Sequence, residues 1–222
     1  MISFRWSVLG DVKRLKVLDL GAGSGRHLRA LDSKGAWVVA GDLSPEVHTA
    51  SGGVVQLDAH HLPFTRASFD LVIVSEVLEH VLDPQLVLYE CARIVRPGGL
   101  VTVSVPRFTP EAVNWLLSME YQRVPVGHIH IFTLRELRSL ARRAGFVVER
   151  MHHSHGLHSP YWWLKSFFGV EDSARVWLVR WYERMLVREL MGRSNVLSRV
   201  EALVNPVLGK SLVVYLRGGG NL

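Results

Sequence analysis

Four acidic residues in the first half of the chain stand at or near the ends of apolar runs: Asp19, Asp42, Asp58 and Glu76. In an open parallel sheet, ligands gather beyond the carboxyl ends of the strands, so four carboxylates in that position describe one site. The first is followed by glycines at alternate positions, Gly21, Gly23 and Gly25, in the pattern D-x-G-x-G-x-G. Glycine permits φ > 0 and lets a ligand come close to the backbone. A helix that begins near Ser24 aims its unpaired N–H groups at the same place. The spacing is not the dinucleotide fingerprint G-x-G-x-x-G, and no Gly-Lys-Ser/Thr follows to make a phosphate loop. Asp19 at the rim disfavours a phosphate and favours a ligand that carries a cationic amine.

The elements that position these acids follow from periodicity. Lys16–Leu20 reads as a strand and Arg26–Ser33 as a helix. The continuous apolar run Ala36–Gly41 suits a strand buried on both faces. Ser44-Pro45-Glu46 carries a capping Ser and a Pro at the first helical position, which predicts a helix there. Gly52–Leu57, Phe69–Val74 and Leu100–Val105 read as strands three to five, with a helix from Asp83-Pro84 to Val95 and a turn at Arg96-Pro97-Gly98-Gly99. Beyond Val105 the rhythm breaks. A helix is expected over Glu111–Met119, and Thr133 with Glu136 forms a capping box for a helix through Ala144. Phe146–Arg150 reads as a sixth strand. Residues 151–171 read as irregular, Asp172–Met191 and Ser194–Leu203 as helices, Asn205-Pro206 and Gly209 as a turn, and Ser211–Leu216 as a last strand. Alternating strands and helices predict an α/β fold with helices on both faces of a mostly parallel, seven-stranded sheet.

The chain has 222 residues, 48% hydrophobic and 21% charged, as a folded protein requires. Its one cysteine, Cys91, excludes an internal disulfide and fits a reducing, cytoplasmic setting. No signal peptide is expected in the first fifteen residues. No apolar run approaches the roughly 18 residues of a membrane span. The net charge of +6 is uneven: residues 135–199 hold most of the arginines, interleaved with Trp and Phe. A solvated basic face, an acidic ligand and an anionic membrane surface each account for that.

Six segments, in order, resemble the motifs of class I S-adenosylmethionine-dependent methyltransferases. They are Val17 to Gly25, Gly41-Asp42-Leu43-Ser44-Pro45-Glu46, Asp58 to Phe64, Ser68 to Val72, Val77-Leu78-Glu79-His80-Val81 and Arg96 to Gly99. The likeness spans residues 16–150 and is greatest to the ubiquinone/menaquinone small-molecule branch. It implies a Rossmann-like fold in one domain over 1–222, with core 16–106, 133–150 and 211–217 and a helical, aromatic substrate lid from 107–132 and 151–210. It implies that Asp19 and the loop Gly21, Ala22, Gly23 and Gly25 hold the methionine end of the cofactor. Asp42 would take the ribose hydroxyls, because a carboxylate accepts from both hydroxyls of a diol. Asp58 would accept from the adenine amine beside Ala59 and His60. Leu43 and Leu62 would sandwich the ring, and Glu76 would lie near the methyl donor. An aspartate at a strand end also serves as a helix cap, and the joint pattern, not any one residue, favours the ligand reading.

The acceptor is left to residues 107–210. His128 and His130 alternate on an extended segment and face the same way, which makes each a candidate base with Glu76 as a further catalytic candidate. Structural histidines that frame the pocket are the alternative for this pair. Glu79 and His80 are either a substrate-side pair or the first turn of a helix. His152, His153, His155 and His158 fall within seven residues; imidazole suits zinc or copper, but no cysteine or carboxylate accompanies them and their spacing fits no zinc motif. A loop contacting substrate at the pocket mouth is the preferred reading. Tyr161, Trp162 and Trp163 suit a sugar, a quinone or a lipid, or pack appended helices. On the next helix Trp177, Trp181, Arg184 and Arg188 share one face. This is expected to turn inward with snorkelling arginines, against a membrane-contact or homodimer face.

Segments 158–165 and 205–211 resemble actinobacterial sugar methyltransferases, specifically mycobacterial enzymes that 1-O-methylate mannosides in methylmannose polysaccharide synthesis. That likeness implies a sugar acceptor and brings Mg2+ with it, for which Glu76, Glu79 and Asp83 are the clustered acids. Quinone or lipid methylation at a membrane and cofactor binding without catalysis are the rivals. Nucleic acid is not expected as a partner, because Ser75-Glu76-Val77 stands where an Asn-Pro-Pro-Tyr motif would.

Overall fold

The computed structural model describes residues 2–44, 46, 49–117, 129–169, 176–190 and 195–218. In chain order the elements are α1 (Trp6–Leu9), β1 (Lys16–Leu20), α2 (Arg26–Asp32), β2 (Trp37–Asp42), β3 (Val54–Gln56), β4 (Phe69–Ser75), α3 (Pro84–Ile94), β5 (Val95–Pro106), α4 (Phe108–Leu117), α5 (Leu134–Arg143), β6 (Phe146–Ser154), α6 (His158–Phe168), α7 (Trp177–Leu190), α8 (Asn195–Leu208) and β7 (Ser211–Gly218). The strands form one seven-stranded sheet in the order β3-β2-β1-β4-β5-β7-β6. Pairs β1/β2, β1/β4, β2/β3 and β4/β5 are parallel, with Asp19 opposite Ala40 and Ile73 in register. The chain starts at β1, works outward to β3, then returns to the other side of β1 with β4. The order therefore reverses between β1 and β4, where ligands bind in sheets of this kind.

The chain divides into two compact units. The first is Met1–Val105, Thr133–Met151 and Val213–Leu222. Its core packs Val17, Leu28, Leu31, Val38, Leu71, Ile73 and Tyr215 together, with α1 laid against them through Trp6, Val8 and Leu9. Each such aliphatic side chain contributes roughly 1.5–3 kcal/mol when fully buried. The caps are those the sequence specifies. Asp83 accepts from the amides of Gln85 and Leu86 ahead of α3, with Pro84 at its first position. Thr133 and Glu136 make a reciprocal capping box on α5.

The second unit is Pro106–Phe132 and His152–Leu212. Within it α4 packs on α6, α6 on α7, and α7 on α8. The Trp163 indole N–H donates to the Pro110 carbonyl at 3.3 Å, and the Tyr182 hydroxyl donates to the Leu157 carbonyl at 2.9 Å. The Arg107 guanidinium caps the end of α8 at the carbonyls of Pro206 and Val207, 3.2 and 2.9 Å away.

Several local expectations are corrected. Among the described residues no helix stands between β2 and β3; Pro45, Val47 and His48 lie outside them. Arg96–Gly99 is not a turn ahead of a strand. It is an irregularity inside β5, where Phe69 pairs with Val95 but Leu71 already pairs with Leu100. Glu79 and His80 lie in a turn, three to four residues ahead of the Asp83 cap. β6 runs on to Ser154, so His152 and His153 alternate across a strand. Residues 158–168 form a helix where irregular chain was expected, because α4 and α7 provide packing for its aromatics. Asn205 and Pro206 belong to the last turn of α8, which gives up one amide donor at Pro206, while Arg107 binds the end carbonyls of Pro206 and Val207. The face of α7 expected to turn inward is outside: Trp177 is 70% and Trp181 55% exposed, while Val179 and Leu186 are buried in their place.

Candidate functional site

The first unit carries the acids and the glycine loop at the carboxyl edge of β1, β2 and β4. Gly21, Gly23 and Gly25 all have positive φ, 74°, 48° and 76°. The Gly21 and Ala22 amides donate to the Gly41 carbonyl at 2.8 and 3.2 Å, tying the loop to β2. A Cβ on Gly21 would clash with Val77 Cγ2, whereas one on Gly23 would meet nothing within 4 Å among the described residues. The loop is thus packed at its first glycine and open at its second.

Asp42 ends β2 half-buried. Its Oδ2 accepts from the Gly23 amide at 2.8 Å and its Oδ1 from the Ser44 amide at 3.0 Å. One carboxylate therefore sets both the loop and the chain beyond β2, with a lone pair left on each oxygen. Leu43 beside it is 70% exposed. Asp58 is exposed and accepts from both the amide and the Nδ1 of His60, at 2.9 and 2.7 Å. These hydrogen bonds hold its carboxyl below the usual range, so it is an ionised acceptor at neutral pH. His60 Nε2 takes the Asp83 amide at 3.3 Å, which assigns the ring proton to Nδ1. Ala59 is half-buried between them.

Glu76 follows β4 with φ of 56°, in the left-handed region that few side chains adopt. Its amide donates to the Ser104 carbonyl at 2.9 Å, and the Ser104 hydroxyl donates to Oε1 at 3.5 Å. A buried hydroxyl chain lies behind it. Ser104 Oγ is 2.7 Å from Ser75 Oγ, which is 3.0 Å from Ser3 Oγ, which is 3.1 Å from His27 Nε2. Arg26 adds a donor to Ser75 at 3.2 Å. Sequence reasoning missed this chain, since serines on three separated segments carry no local signal.

Asp19 departs from expectation. It does not present a carboxylate at the rim; it is completely buried, because β1 has neighbours on both sides and helices over it. Its Oδ2 accepts from the Leu28 amide at 3.1 Å, and His27 Nδ1 lies 3.6 Å from Oδ1. Asp19 acts on the loop from below, by anchoring the first turn of α2.

A second set of contacts was also invisible in the sequence. Arg93 on α3 donates to the carbonyls of Phe64 and Leu62 at 2.6 and 2.8 Å. Its partner Glu90 accepts from the Leu62 amide at 2.8 Å. This clamp fixes the segment that follows Asp58, with Leu62 buried. A cavity of about 610 Å3 lies elsewhere, lined by Arg66, Tyr89, Glu90, Arg96, Pro97 and Phe146 near the starts of β4, β5 and β6. It contains none of the carboxyl-edge acids, and ligand chemistry at a parallel sheet belongs to the other end of the strands.

Among the acceptor-side residues, His128 lies outside the described residues. His130 is half-buried, its ring 5.7 Å from that of Phe132. His80 is exposed. His153 is half-buried, and burial with the nearby Arg107 pushes its pKa down. Tyr161 packs near Tyr182, ring centroids 6.1 Å apart. The ammonium groups of Lys165 and Lys210 lie 5.1 and 4.7 Å from the Trp162 ring centroid. His155 and His158 come together with Glu201 of α8. The Mg2+ expectation fails a test of donors. Among the described residues the acids Glu76, Glu79 and Asp83 form no ligand cluster, and the one group of three possible ligands is this pair of imidazoles with a carboxylate, which does not suit a hard cation.

A family model described as a methyltransferase domain matches residues 6–150. The chain belongs to that family. Over 101 residues it is 42% identical to demethylmenaquinone methyltransferase of Mycolicibacterium paratuberculosis, covering 44% of each chain. Over 153 residues it is 33% identical to the ubiquinone biosynthesis O-methyltransferase of Aeromonas salmonicida, covering 61% of this chain and 64% of that one. The matches thus span less than two thirds of these relatives' own length. A solved structure of 1,6-didemethyltoxoflavin-N1-methyltransferase from Burkholderia thailandensis, with 1,6-didemethyltoxoflavin and S-adenosylhomocysteine bound, shares the fold at a TM-score of 0.58 and 19% identity, covering 96% of this chain and 74% of that one.

Proposed function

We propose that this chain is an S-adenosylmethionine-dependent methyltransferase whose acceptor is a hydroxyl on a small apolar ring of the quinone type. The observation that carries the cofactor assignment is the Gly23–Asp42 hydrogen bond, which sets an open glycine loop beside an acceptor pair at the switch point of the sheet. In this reading Asp42 takes the ribose hydroxyls, Asp58 the adenine amine beside Ala59 and His60, and the loop Gly21 to Gly25 the amino-acid end. Leu43 and Leu62 lie against the ring, and Glu76 stands near the methyl donor. Asp19 serves indirectly, through α2. The cofactor supplies an electrophilic methyl group; the chain aligns the acceptor oxygen, excludes water and takes its proton. His130 and His128 are assigned as the candidate bases.

Acceptor recognition is assigned to residues 106–132 and 152–212. The relatives' names support a quinone-type acceptor, and so do exposed apolar residues on α7 and α8. Trp177 and Trp181 stand beside the exposed Arg180 and Arg184, while Leu203 and Val207 are 80% and 73% exposed. Such a surface suits a membrane interface with anionic lipid, where an apolar acceptor partitions. No described helix is long and apolar enough to cross a membrane. The free thiol of Cys91 supports a reducing, cytoplasmic setting in this reading.

One observation favours the sugar reading. Segments 158–165 and 205–211 lie together: the Ser159 hydroxyl donates to the Leu208 carbonyl at 2.6 Å, and Lys210 sits over Trp162. The lysines on that ring compete with a sugar for its faces, which sets the apolar acceptor ahead. The test is transfer of labelled methyl from S-adenosylmethionine to two acceptor sets, short-chain demethylated quinols and unmethylated mannosides. Label in the quinols supports the proposal. Label in mannosides alone replaces the acceptor, and cofactor binding with no turnover on either set overturns the enzyme.

A further inference from the structure

The histidine-rich segment after β6 ends in a constellation that methyl transfer does not use. His155, His158 and Glu201 each place a potential ligand atom within 4.8 Å of the other two. His155 and His158 are joined by a backbone turn in which the His158 amide donates to the His155 carbonyl at 3.0 Å, and their ring centroids are 5.7 Å apart. Glu201 comes from α8, more than forty residues away in sequence. We propose that these three residues bind a single divalent transition-metal ion of the zinc class, which ties the start of α6 to α8.

Four observations carry the assignment, all within the second unit. The donor set of two imidazoles and one carboxylate matches zinc and excludes magnesium and calcium, which want oxygen. Three protein ligands leave a fourth, tetrahedral position for water. Ligand atoms around a tetrahedral zinc lie about 3.3 Å apart, so side-chain adjustments of an ångström or so close the present spacing.

The scaffold holds the two segments of this arrangement together without the metal. The Asn205 side-chain oxygen accepts the Gly156 amide at 2.7 Å, and Asn205 lies one helical turn beyond Glu201 on the same face of α8. A Cβ on Gly156 would come within 2.9 Å of that oxygen, so the segment approaches α8 as closely as only glycine permits. The Ser159 hydroxyl pins the next residue to α8.

His155 has φ of 63°, an unfavourable backbone state of the kind that gathers at ligand sites. Among the described residues His158 Nδ1 is buried with no hydrogen-bond partner, a state that costs on the order of 1–3 kcal/mol.

The test uses tag-free full-length protein, stripped with chelator and titrated with zinc sulfate. One Zn2+ per chain with sub-micromolar affinity is expected, with a rise in Tm of several degrees on saturation. His155→Ala and Glu201→Gln should each weaken binding at least tenfold and abolish the Tm rise, while keeping the far-UV circular dichroism of the unsubstituted chain. Cobalt should give the intense visible bands of a tetrahedral site, lost in Glu201→Gln. Failure to bind zinc stoichiometrically overturns the site. So does binding that survives both substitutions, which would assign it to His152 and His153. The proposal does not depend on which acceptor is methylated.

Discussion

The Gly23 amide and the Asp42 carboxylate share a 2.8 Å hydrogen bond, which makes the loop after β1 and the end of β2 a single hydrogen-bonded unit. Removing the carboxylate therefore acts twice, on the ribose acceptor and on the loop that surrounds it. Asp42→Ala is expected to weaken S-adenosylhomocysteine binding at least tenfold, about 1.4 kcal/mol, by calorimetry. Asp42→Asn retains one oxygen for the Gly23 amide and replaces the other acceptor by a donor, so its loss should fall between. Unchanged affinity in the alanine variant refutes the ribose assignment.

Gly21 is constrained by its backbone and by its neighbour at once. An alanine there must hold φ near 74°, costing about 1–2 kcal/mol, and must also displace Val77 Cγ2, with which its methyl group clashes. A total destabilisation of roughly 2–4 kcal/mol is expected by denaturant titration. Placing Val77→Ala in the same chain removes the clashing methyl and leaves the backbone cost, so the two substitutions should couple by about 1 kcal/mol or more. Additive effects would mean that the two loops do not meet as described.

How far the sequence reaches is visible in these same residues. β1 is bounded as its apolar run and glycines predict, and the Thr133–Glu136 box is explicit in the spelling of the chain. The four acids fall at the carboxyl edge because a parallel sheet forces strand ends together. Local spelling fails where packing decides. The His-Ser-Pro-Tyr-Trp-Trp stretch has poor helix propensity, yet α4 and α7 make it α6. Asn205-Pro206 looks like a turn, but the Asn side chain is engaged with Gly156 and Arg107 caps the carbonyls, so the helix continues. Asp19 sits at the predicted strand position, but whether its carboxylate meets ligand or helix depends on what lies above it, which one strand cannot encode. The carboxylate beside His155 and His158 arrives from α8, and no local spacing could reveal it.

The Glu90–Arg93 clamp predicts a defined acid limb. The Arg93 guanidinium, and then the Leu62 amide, hold the Glu90 carboxyl below its ordinary value. A carboxyl whose folded pKa is depressed stabilises the protein above its unfolded pKa, near 4.3, and loses that contribution as pH falls through the folded value. Glu90→Gln should cost about 1–2 kcal/mol at pH 7, with the difference from the parent chain shrinking as pH drops from 5 toward 3. Urea midpoints across that range measure it, and a difference independent of pH would show that the charge is not what holds Leu62 and Phe64.

Cys91 makes the last prediction, about how the core opens. It is fully buried on α3 among Val87, Leu88 and Ile94, and burial, with Glu90 adding repulsion, pushes its thiol up to about 12. At pH 8 a native thiol with that value is almost entirely protonated as well as inaccessible, so an aromatic disulfide reagent should find no reactive group in the folded chain. One equivalent should react once guanidinium unfolds it. Labelling in native buffer then has to wait for opening of α3, and its rate divided by the unfolded thiol's rate gives the free energy of that opening. Agreement with the global unfolding free energy places α3 in the last unit to open. Rapid stoichiometric labelling in native buffer would contradict the burial of Cys91. Cys91→Ser should lower stability by about 1–3 kcal/mol, because a hydroxyl there desolvates among aliphatic side chains.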